Sequence, residues 1–266
     1  MADIIRVDDP DDPRLAPYRD IRERDLVGRE GRFVAEGRVV LNVLFASQRF
    51  EAQSMLLLEN RLAGLGELID AAPAALPVYV APQDLVDRVA GFHLHRGILA
   101  IGRRREPEDV PALLDALPND ALVVALAGIA NHDNMGSIFR NAAAFAADAV
   151  LLDDTSCDPL YRKAIRVSVG AALKVPFARA GSVETMVSAL AERGFEVLAL
   201  SPSGDRDIAQ AKAGGRTALL LGSEGHGLPA ILMSRLRTVR IPMADDFDSL
   251  NVAAASAVAL HRLWRG

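Results

Sequence analysis

The second half of the chain alternates short apolar runs with stretches of helical character, and this alternation constrains the fold more than any other feature. The apolar runs, which have the length of β-strands, are residues 121–129, 149–152, 195–200, 217–221 and 239–241. Apolar spacing predicts helices between them, at residues 136–147, 159–173, 183–193 and 251–264. Nearly continuous apolar strands separated by helices are typical of a parallel sheet that is covered on both faces. The sequence therefore predicts an α/β fold with a parallel sheet.

The first part of the chain predicts a separate and smaller α/β unit at residues 14–102. A helix is expected after Gly37, where apolar residues recur at helical spacing. Short runs with β character lie at residues 55–58, 78–81 and 98–101. Residues 103–118 are rich in charge and proline and contain one short helix-like patch, which is typical of a linker. The second domain then covers residues 119–266.

Composition excludes several kinds of protein. A single cysteine, Cys157, among 266 residues excludes an internal disulfide and a multi-cysteine zinc site, and the five histidines show no metal-binding spacing. No metal is therefore expected. The N-terminus is acidic and lacks the basic and apolar regions of a signal peptide, and no apolar run approaches the roughly 20 residues that span a bilayer. A cytoplasmic protein without a membrane segment is expected.

The net charge of −5 argues against a uniformly basic surface, but the arginines are unevenly distributed. Several are concentrated near the start of the chain: Arg19, Arg22, Arg24, Arg29, Arg32 and Arg38. Phosphate binding needs a local cluster of positive charge rather than a positive total. A basic face for nucleic acid is one interpretation of this cluster, and an ordinary solvated surface is the other.

Three motifs place glycines and polar side chains where a strand gives way to a helix, which is where α/β proteins bind their ligands. They are NHDNMGSIFRN at 131–141, LLLGSEGHGLP at 219–229 and IPMADDFDSLNVAAASAVALHRL at 241–263. Each also has a purely structural interpretation. Asn134 is a candidate N-cap for a helix that begins near Gly136, and Ser249 is a candidate N-cap for the final helix. The glycines of residues 222–227 can form a plain tight turn.

Arginines in the predicted helices also have two interpretations. Arg140 is expected about two turns into the helix after Asn134, and Arg162 and Arg166 share a face of a later helix. Solvated surface arginines are the ordinary explanation, and contacts to phosphate are the alternative.

The three motifs resemble, in order and spacing, those of the SpoU/TrmH family of RNA methyltransferases in the SPOUT superfamily. The matching patterns are Asn134-x-Gly-x-x-x-Arg140, Gly222-Ser-Glu-Gly-x-Gly-Leu228 and Ile241-Pro-Met…Ser249-Leu-Asn-Val252. The resemblance covers residues 119–266 and implies a trefoil-knotted SPOUT domain with a parallel sheet, a knot that periodicity alone never reveals. Residues 33–37 and 95–98 of the first unit are similar to the ribosomal-protein-like α/β domain that binds the RNA substrate in these enzymes.

The resemblance implies an S-adenosylmethionine-dependent RNA 2′-O-ribose methyltransferase that acts as a homodimer without a metal. The residues implied in catalysis are Asn134, Arg140, Glu224, Ser249 and Asn251. Those implied in S-adenosylmethionine binding are Ser201, Leu221, Gly222, Gly225, Ile241, Pro242, Met243 and Leu250. Those assigned to RNA binding are Arg32, Arg38, Arg162 and Arg166. Since a guanidinium has a pKa above about 12, Arg140 is expected to orient the ribose acceptor and a phosphate rather than to remove a proton.

Two other functions stay open at this point. A non-catalytic RNA-binding or assembly factor could retain the fold, but the presence of all five implied catalytic residues argues against it. A nucleotide-dependent enzyme with an ordinary doubly wound sheet is disfavoured, because the glycines are spaced G-x-x-G-x-G and not G-x-G-x-x-G. The resemblance slightly favours rRNA over tRNA as the substrate, because an N-terminal binding domain is frequent among related enzymes that act on rRNA. One departure from the family is Ala146, where many relatives have glycine; it is expected to cost little if its φ is negative.

Overall fold

A computed structural model of the protein describes residues 3–19, 21, 31–106, 109–211, 214–225, 227–244, 246 and 248–264. Packing divides the chain into two compact units, residues 1–106 with 160–174 and residues 107–159 with 175–266. Residues 160–174 thus pack with the first unit, although they come later in the sequence. The predicted domain limits of 14–102, 103–118 and 119–266 stay a prediction, because packing alone does not show where an independently folding domain ends.

The first unit is built on a five-stranded mixed sheet. Its strands are β1 (Asp3–Arg6), β2 (Arg32–Glu36), β3 (Phe50–Leu58), β4 (Pro77–Ala81) and β5 (Ile98–Arg104). Their order is β1-β4-β3-β5-β2, in which β1, β4 and β3 are parallel and β5 runs antiparallel to both of its neighbours. The three predicted runs with β character are confirmed as strands, whereas β1 and β2 were not predicted.

Helices pack on this sheet and close its core. The α-helices are α1 (Arg38–Phe45), α2 (Gly66–Asp70), α3 (Gln83–Ala90), α6 (Arg162–Val167) and α7 (Ala171–Lys174), and two 3-10 helices span Pro13–Tyr18 and Glu59–Leu65. The helix predicted after Gly37 is confirmed as α1. Tyr18 and Leu85, from a 3-10 helix and α3, form a buried cluster with Leu56 and Leu99 of the sheet. Removing such apolar surface from water is the main favourable contribution to folding.

The single helix predicted over residues 159–173 is wrong, because two short helices, α6 and α7, take its place. Between them Val169 and Gly170 have left-handed backbones, with φ of +54° and +86°. The N–H of Gly170 donates to the carbonyl of Ile165 at 3.0 Å and so closes the end of α6. Glycine adopts this conformation without strain, whereas a β-branched valine rarely does.

The second unit contains a seven-stranded sheet in which all pairings between strands are parallel. Its strands are β6 (Leu122–Leu126), β7 (Ala149–Leu152), β8 (Phe177–Arg179), β9 (Glu196–Leu200), β10 (Arg206–Asp207), β11 (Thr217–Leu221) and β12 (Arg237–Arg240). Its α-helices are α4 (Val110–Asp115), α5 (His132–Ala144), α8 (Val183–Glu192), α9 (Ala230–Met233) and α10 (Val252–Leu263). The predicted α/β fold with a parallel sheet is confirmed for this unit.

The strand order of the second unit determines where a ligand can bind. The order is β10-β12-β9-β11-β6-β7-β8, so β6, the first strand of the unit in sequence, lies in the middle of the sheet. The chain continues to β7 on one side of β6 and reaches β9 and β11 on the other side later. The carboxyl ends of the parallel strands meet at one edge, and the point where the order reverses is the usual ligand site of open α/β sheets.

The structure differs from the sequence-based expectations at residues 110–115 and at Ala146. Residues 110–115, within the predicted linker, form α4, whose Val110 and Leu114 are buried in the core of the second unit. Ala146, just after α5, has a φ of +51°, so the negative φ at which alanine would cost little is not present. The N–H of Ala147 donates to the carbonyl of Ala142 at 2.8 Å across this turn, a helix ending that usually has glycine at the left-handed position. Ala146 therefore carries backbone strain.

Candidate active site

A cleft of about 640 Å³ opens at the carboxyl ends of β9, β11 and β12. It is lined by residues from three segments that follow these strands, at 200–203, 221–228 and 241–255. This volume lies within the range of small-molecule sites in proteins. The cleft therefore occupies the edge of the sheet where the strand order predicts a ligand site.

The glycine loop after β11 borders this cleft and folds back on itself. A Cβ atom at Gly222 would lie only 2.7 Å from the carbonyl carbon of Gly227 and 2.8 Å from the nitrogen of Leu228. The N–H of Gly227 donates to the carbonyl of Ser223 at 3.1 Å, and Gly225 has a φ of +87°. The loop is thus a tight turn that needs its glycines and, at the same time, a wall of the cleft.

Three polar side chains from the three sequence motifs form a hydrogen-bonded triangle at the rim of the cleft. Nδ2 of Asn134 donates to Oε1 of Glu224 at 2.9 Å. Nδ2 of Asn251 donates to the same Oε1 at 2.8 Å and to Oδ1 of Asn134 at 3.0 Å. Asn134 is only 8% exposed, whereas Glu224 is exposed on the loop. All three are among the residues that the family resemblance implies in catalysis, and the structure shows that they are hydrogen-bonded to one another.

The helix caps differ from those predicted. Oδ1 of Asn131 accepts the N–H groups of Asp133 and Asn134 at 2.8 and 3.3 Å, so α5 begins at His132 and the prediction of Asn134 as the N-cap is wrong. This placement leaves the Asn134 side chain available for Glu224. The start of α5 therefore directs Asn134 into the triangle.

The final helix is likewise capped by a residue other than the predicted one. Oδ1 of Asn251 accepts the N–H groups of Ala253 and Ala254 at 2.9 and 3.3 Å, so the prediction of Ser249 as the N-cap is wrong. Ser249 is exposed and lines the cleft. Asn251 thus uses its oxygen for the helix and its amide nitrogen for the triangle, which fixes the orientation of the side chain.

Arg140 lies on a different face of α5 from Asn134. Six residues of α-helix correspond to a rotation that leaves the two side chains about 120° apart. Asn141 returns to the Asn134 face, where its Nδ2 donates to the Ala253 carbonyl and to Oγ of Ser256, both at 2.9 Å. Arg140 is exposed, and its side chain has no hydrogen bond or ion pair with any other described residue. Within one chain, the structure brings together four of the five implied catalytic residues and leaves Arg140 apart.

The cleft, the triangle and the helices that carry them lie in one continuous stretch of sequence. The family model described as the SpoU rRNA Methylase family matches residues 121–261 of this chain. This chain belongs to the SpoU family. The prediction of the family from three motifs is thereby confirmed.

Relatives and solved structures agree with the SpoU assignment. An uncharacterized tRNA/rRNA methyltransferase of Mycobacterium bovis is 43% identical over 273 residues, which cover 99% of this chain and 92% of that protein. The AdoMet-bound rRNA methyltransferase of Sinorhizobium meliloti is 23% identical, with a TM-score of 0.80 and coverage of 97% of both chains. A structure described as an RNA 2′-O ribose methyltransferase is 24% identical, with a TM-score of 0.78 and coverage of 98% of this chain and 97% of that chain. These two structures show that the fold is shared over nearly the whole chain.

Most residues assigned to the cofactor of this SpoU protein line the cleft. They are Ser201, Leu221, Gly222, Gly225, Ile241, Met243 and Leu250. Pro242 is exposed and is not among the lining residues. Sequence reasoning missed Ser203, Leu228 and Met233, which line the cleft as well. Oγ of Ser203 lies 3.0 Å from Oγ of Ser201, and the Ser-Pro-Ser pattern after a strand was the signal that could have revealed it.

The four arginines assigned to RNA binding all lie in the first unit. Arg32 is on β2 and Arg166 is on α6, and both are partly exposed. Arg38, at the start of α1, forms an exposed ion pair with Glu67. Of the arginine cluster near the start of the chain, Arg22, Arg24 and Arg29 lie outside the described residues.

Arg162 has a structural partner. Its Nη1 donates to Oε2 of Glu36 at 2.9 Å, and Glu36 is only 6% exposed. The guanidinium carbon of Arg162 also lies 4.2 Å from the centroid of the Phe92 ring, within the range of a cation–π contact. Arg162 therefore neutralises a buried carboxylate, a task that competes with contact to phosphate.

Two titratable groups in the second unit have shifted pKa values. Burial raises the pKa of Asp153, but hydrogen bonds from Ser156, Thr155 and the N–H of Gly128 outweigh burial and lower it overall. Burial raises the pKa of the Cys157 thiol to about 11. The thiol is therefore neutral near pH 7 and is a poor nucleophile.

Within the described ranges, no group of three or more His, Cys, Asp or Glu side chains could hold a metal ion. The same residues include no helix with both the length and the apolar character that crossing a bilayer requires.

Proposed function

We propose that this protein is an S-adenosylmethionine-dependent RNA 2′-O-ribose methyltransferase with rRNA, rather than tRNA, as its substrate. The observation that carries the proposal is the triangle of Asn134, Glu224 and Asn251 at the rim of the cleft. Three distant segments of the sequence converge to hold one carboxylate next to a space large enough for a nucleoside. Membership of the SpoU family and a 43% identical relative named as a tRNA/rRNA methyltransferase support this reading.

The cleft suits S-adenosylmethionine in its size and lining. Leu221, Ile241, Met243 and Leu250 offer apolar surface for an adenine ring, and the ends of the strands offer backbone groups for its polar edge. Bound there, S-adenosylmethionine supplies an electrophilic methyl group. The AdoMet-bound relative from Sinorhizobium meliloti supports this assignment.

The triangle holds the acceptor side of the site in a fixed geometry. Both amide donors bind Oε1 of Glu224, and Oε2 has no hydrogen bond within the described part of the chain. Oε2 and the exposed hydroxyl of Ser249 are therefore available to bind and orient a ribose hydroxyl. Holding two reactants in the geometry of attack lowers a barrier by up to about 7–11 kcal/mol, which is the largest contribution these residues can make.

Arg140 acts on the acceptor from outside the triangle. An arginine guanidinium stays protonated in proteins and binds phosphate through two parallel hydrogen bonds, so Arg140 orients the RNA and does not remove its proton. Because Arg140 points away from Asn134, we assign it to the site of the second copy in a homodimer. Val258 and Trp264, which are 44% and 50% exposed in and just after α10, provide apolar surface for that contact.

The same proposal includes the finer features that the family implies. They are a trefoil knot in the second unit, a ribosomal-protein-like fold and RNA binding in the first unit, and location in the cytoplasm. The mixed sheet of the first unit, packed against helices, is compatible with such a domain.

Transfer of tritiated methyl from S-adenosylmethionine to unmodified transcripts tests this function. The substrates are transcripts of the two large ribosomal RNAs and a pool of tRNA transcripts. We expect label in one ribosomal RNA and resistance of the labelled linkage to alkali, because a methylated 2′-oxygen cannot attack the adjacent phosphate. Arg140→Ala is expected to lower the label about 100-fold or more, as loss of an orienting group does. Arg88→Ala, a change at an exposed arginine of α3, serves as the matched control and should keep full transfer.

Each other outcome replaces part of the proposal. Label confined to tRNA would overturn the assignment to rRNA, and a linkage that stays sensitive to alkali would place the methyl group on a base. Tight binding of S-adenosylmethionine and RNA without transfer to any transcript would favour the non-catalytic RNA-binding factor.

A further inference from the structure

Two glycines lie side by side where three strands of the first unit end. Gly37 directly follows β2, and its N–H donates to the carbonyl of Ile98 in β5 at 3.3 Å. Gly97 directly precedes β5, and its carbonyl accepts the N–H of Leu58, the last residue of β3, at 3.0 Å. Both glycines have positive φ, +92° for Gly37 and +70° for Gly97. The ends of β2 and β3 and the start of β5 thus meet at two positions that have no side chain.

Two arginine side chains cover these glycines. A Cβ atom at Gly37 would lie 3.1 Å from Cδ and 3.2 Å from Nη1 of Arg96. A Cβ atom at Gly97 would lie 2.7 Å from Cγ and 3.3 Å from Nε of Arg61. Cδ and Nη1 of Arg96 and Cγ and Nε of Arg61 thus lie over glycine backbone that a side chain at either position would obstruct. These contacts restrict the positions that the two guanidinium groups can take, although both arginines are exposed.

The charges of Arg61 and Arg96 are not compensated by any described residue of the unit. Both residues are exposed, and neither side chain forms a hydrogen bond or ion pair with another described residue. The acidic residues closest in sequence to Gly37 and Arg61 already have partners: Glu36 pairs with Arg162, Glu59 with Arg6 and Glu67 with Arg38. In a chain with a net charge of −5, two unpaired guanidinium groups on adjacent strand ends form a local positive surface.

Helix α1 adds a further feature that attracts anions to the same place. It begins at Arg38, directly after Gly37, and Gly37 provides no side-chain cap for its first N–H groups. The free N–H groups and the helix dipole give this end a partial positive charge. The two guanidinium groups and the helix end therefore favour negative charge at one edge of the sheet.

We propose that Arg61 and Arg96 form a phosphate-binding surface for the backbone of the RNA substrate, an inference that rests on the proposed function. The planar fork of a guanidinium matches a phosphate, and neighbouring forks suit a polymer with regularly repeated phosphates. The surface is open and lacks the enclosing walls that a single small anion needs for tight binding. Its contacts hold the RNA in place without reading its sequence.

The test is the salt dependence of RNA binding by the full-length protein. The probe is an unmodified transcript of large-subunit ribosomal RNA, which need not contain the methylated nucleotide because phosphate contacts are independent of sequence. The variants are R61Q/R96Q and the control R14Q/R88Q. The control removes the same charge from two exposed arginines of the first unit that pair with Asp12 and Asp84.

We expect R61Q/R96Q to lower the slope of log K against log salt by about 1.4–1.8, since each phosphate contact contributes about 0.7–0.9. At low salt the affinity should fall about tenfold or more, whereas the control should keep the slope of the wild type. R61K/R96K keeps the charge and should retain most of the slope while losing part of the affinity, because lysine lacks the fork. Calorimetry with S-adenosylmethionine and thermal melting show whether each variant is folded. If R61Q/R96Q is not folded, the affinity and the salt slope of R61K/R96K provide the test instead.

Equal slopes for the wild type and R61Q/R96Q would overturn the proposal, even if the enzyme methylates RNA. A slope that depends on both arginines in a protein that transfers no methyl group would support the proposal and reject the methyltransferase function. If inorganic phosphate binds the wild type below about 1 mM and R61Q/R96Q does not bind it, the surface is a small-anion site and the RNA proposal is wrong.

Discussion

Nδ2 of Asn134 donates a hydrogen bond to Oε1 of Glu224 at 2.9 Å, across 90 residues of sequence. Asn251 donates to the same oxygen at 2.8 Å. One carboxylate oxygen therefore connects the first turn of α5, the glycine loop after β11 and the first residue before α10. The relative positions of these three segments at the rim of the cleft therefore depend on one shared acceptor atom.

Replacing Asn251 with aspartate separates the two tasks of this residue. Asn251→Asp keeps the oxygen that caps α10, removes the amide that donates to Glu224 and places two carboxylates together. We expect methyl transfer to fall about 100-fold because the acceptor site loses its geometry. Asn251→Ala loses the cap as well and is expected to cost about 1–2 kcal/mol in the free energy of unfolding.

Urea unfolding and methyl transfer, measured on both Asn251 variants, check this prediction. Ser249→Ala is the control for the cap, because Ser249 does not cap α10, and its stability should stay within about 0.5 kcal/mol of the wild type. Full transfer by Asn251→Asp would show that the triangle has no part in catalysis.

Glycine at position 146 is expected to stabilise the protein. Ala146 has a φ of +51° after α5, a conformation that glycine adopts at no steric cost. We expect Ala146→Gly to raise the free energy of unfolding by about 0.5–1 kcal/mol, after the entropy that glycine adds to the unfolded chain is subtracted. Ala144→Gly, two residues earlier in the last turn of α5, should instead lower it by up to about 1 kcal/mol. Thermal unfolding of both variants shows whether each change raises or lowers the stability of the protein. Lower stability of both variants would show that the turn at residue 146 is unstrained.

Arg162 is predicted to be important for stability. Arg162→Gln leaves the buried carboxylate of Glu36 without its cation, and we expect a loss of about 2–3 kcal/mol. The loss is smaller than for a fully buried pair because Arg162 is still 23% exposed. Arg166→Gln, on the same helix, should change stability by less than about 0.5 kcal/mol.

The double variant Glu36→Gln/Arg162→Gln gives the matched control, since it removes both charges together and should recover much of the loss. Urea unfolding at neutral pH is the measurement. An Arg162→Gln variant with the stability of the wild type and weakened RNA binding would assign Arg162 to RNA contact instead.

The hydrogen bonds to Asp153 predict a dependence of stability on pH. The pKa of Asp153 is lower in the folded protein than in the unfolded chain, so its stabilising effect is fully present above a pH of about 4 and disappears as the pH falls through the folded pKa. Asp153→Asn is expected to cost about 1–3 kcal/mol at pH 7. The difference in the free energy of unfolding between the variant and the wild type should become smaller at acidic pH. Urea unfolding from pH 7 down to pH 3 tests this, and a difference that does not change with pH would exclude the charge as its cause.

The parallel sheet was predictable because strands buried on both faces must be apolar along their whole length. The residues of β6, β7 and β11 are all buried, and their runs were identified in the sequence. β2 was not predicted because charged residues lie at both of its ends, and β8 was not predicted because it has only three residues. Helix α4 was not predicted because it is also short: in sequence, a six-residue helix that contains one proline resembles a linker.

The sequence identified the residues of the candidate site, but it did not predict the hydrogen bonds between them. Asn131 and Asn134 are both good caps, and nothing local decides which of them begins α5. The choice follows from the pairing of Asn134 with Glu224, a contact between distant segments that sequence periodicity does not contain. The same holds for Ser249 and Asn251 at the start of α10.

The central position of β6 has a consequence for synthesis of the chain. β7 and β8 can pair on one side of β6 as soon as they are made, but its other neighbour, β11, begins only at residue 217. β9 pairs with β11 and β12, so it too has no neighbour until later residues emerge. During translation the nascent chain therefore presents one edge of β6 and both edges of β9 without a partner strand until β11 is made, and such edges promote aggregation. Assistance from chaperones at this stage is therefore expected to increase the yield of folded protein.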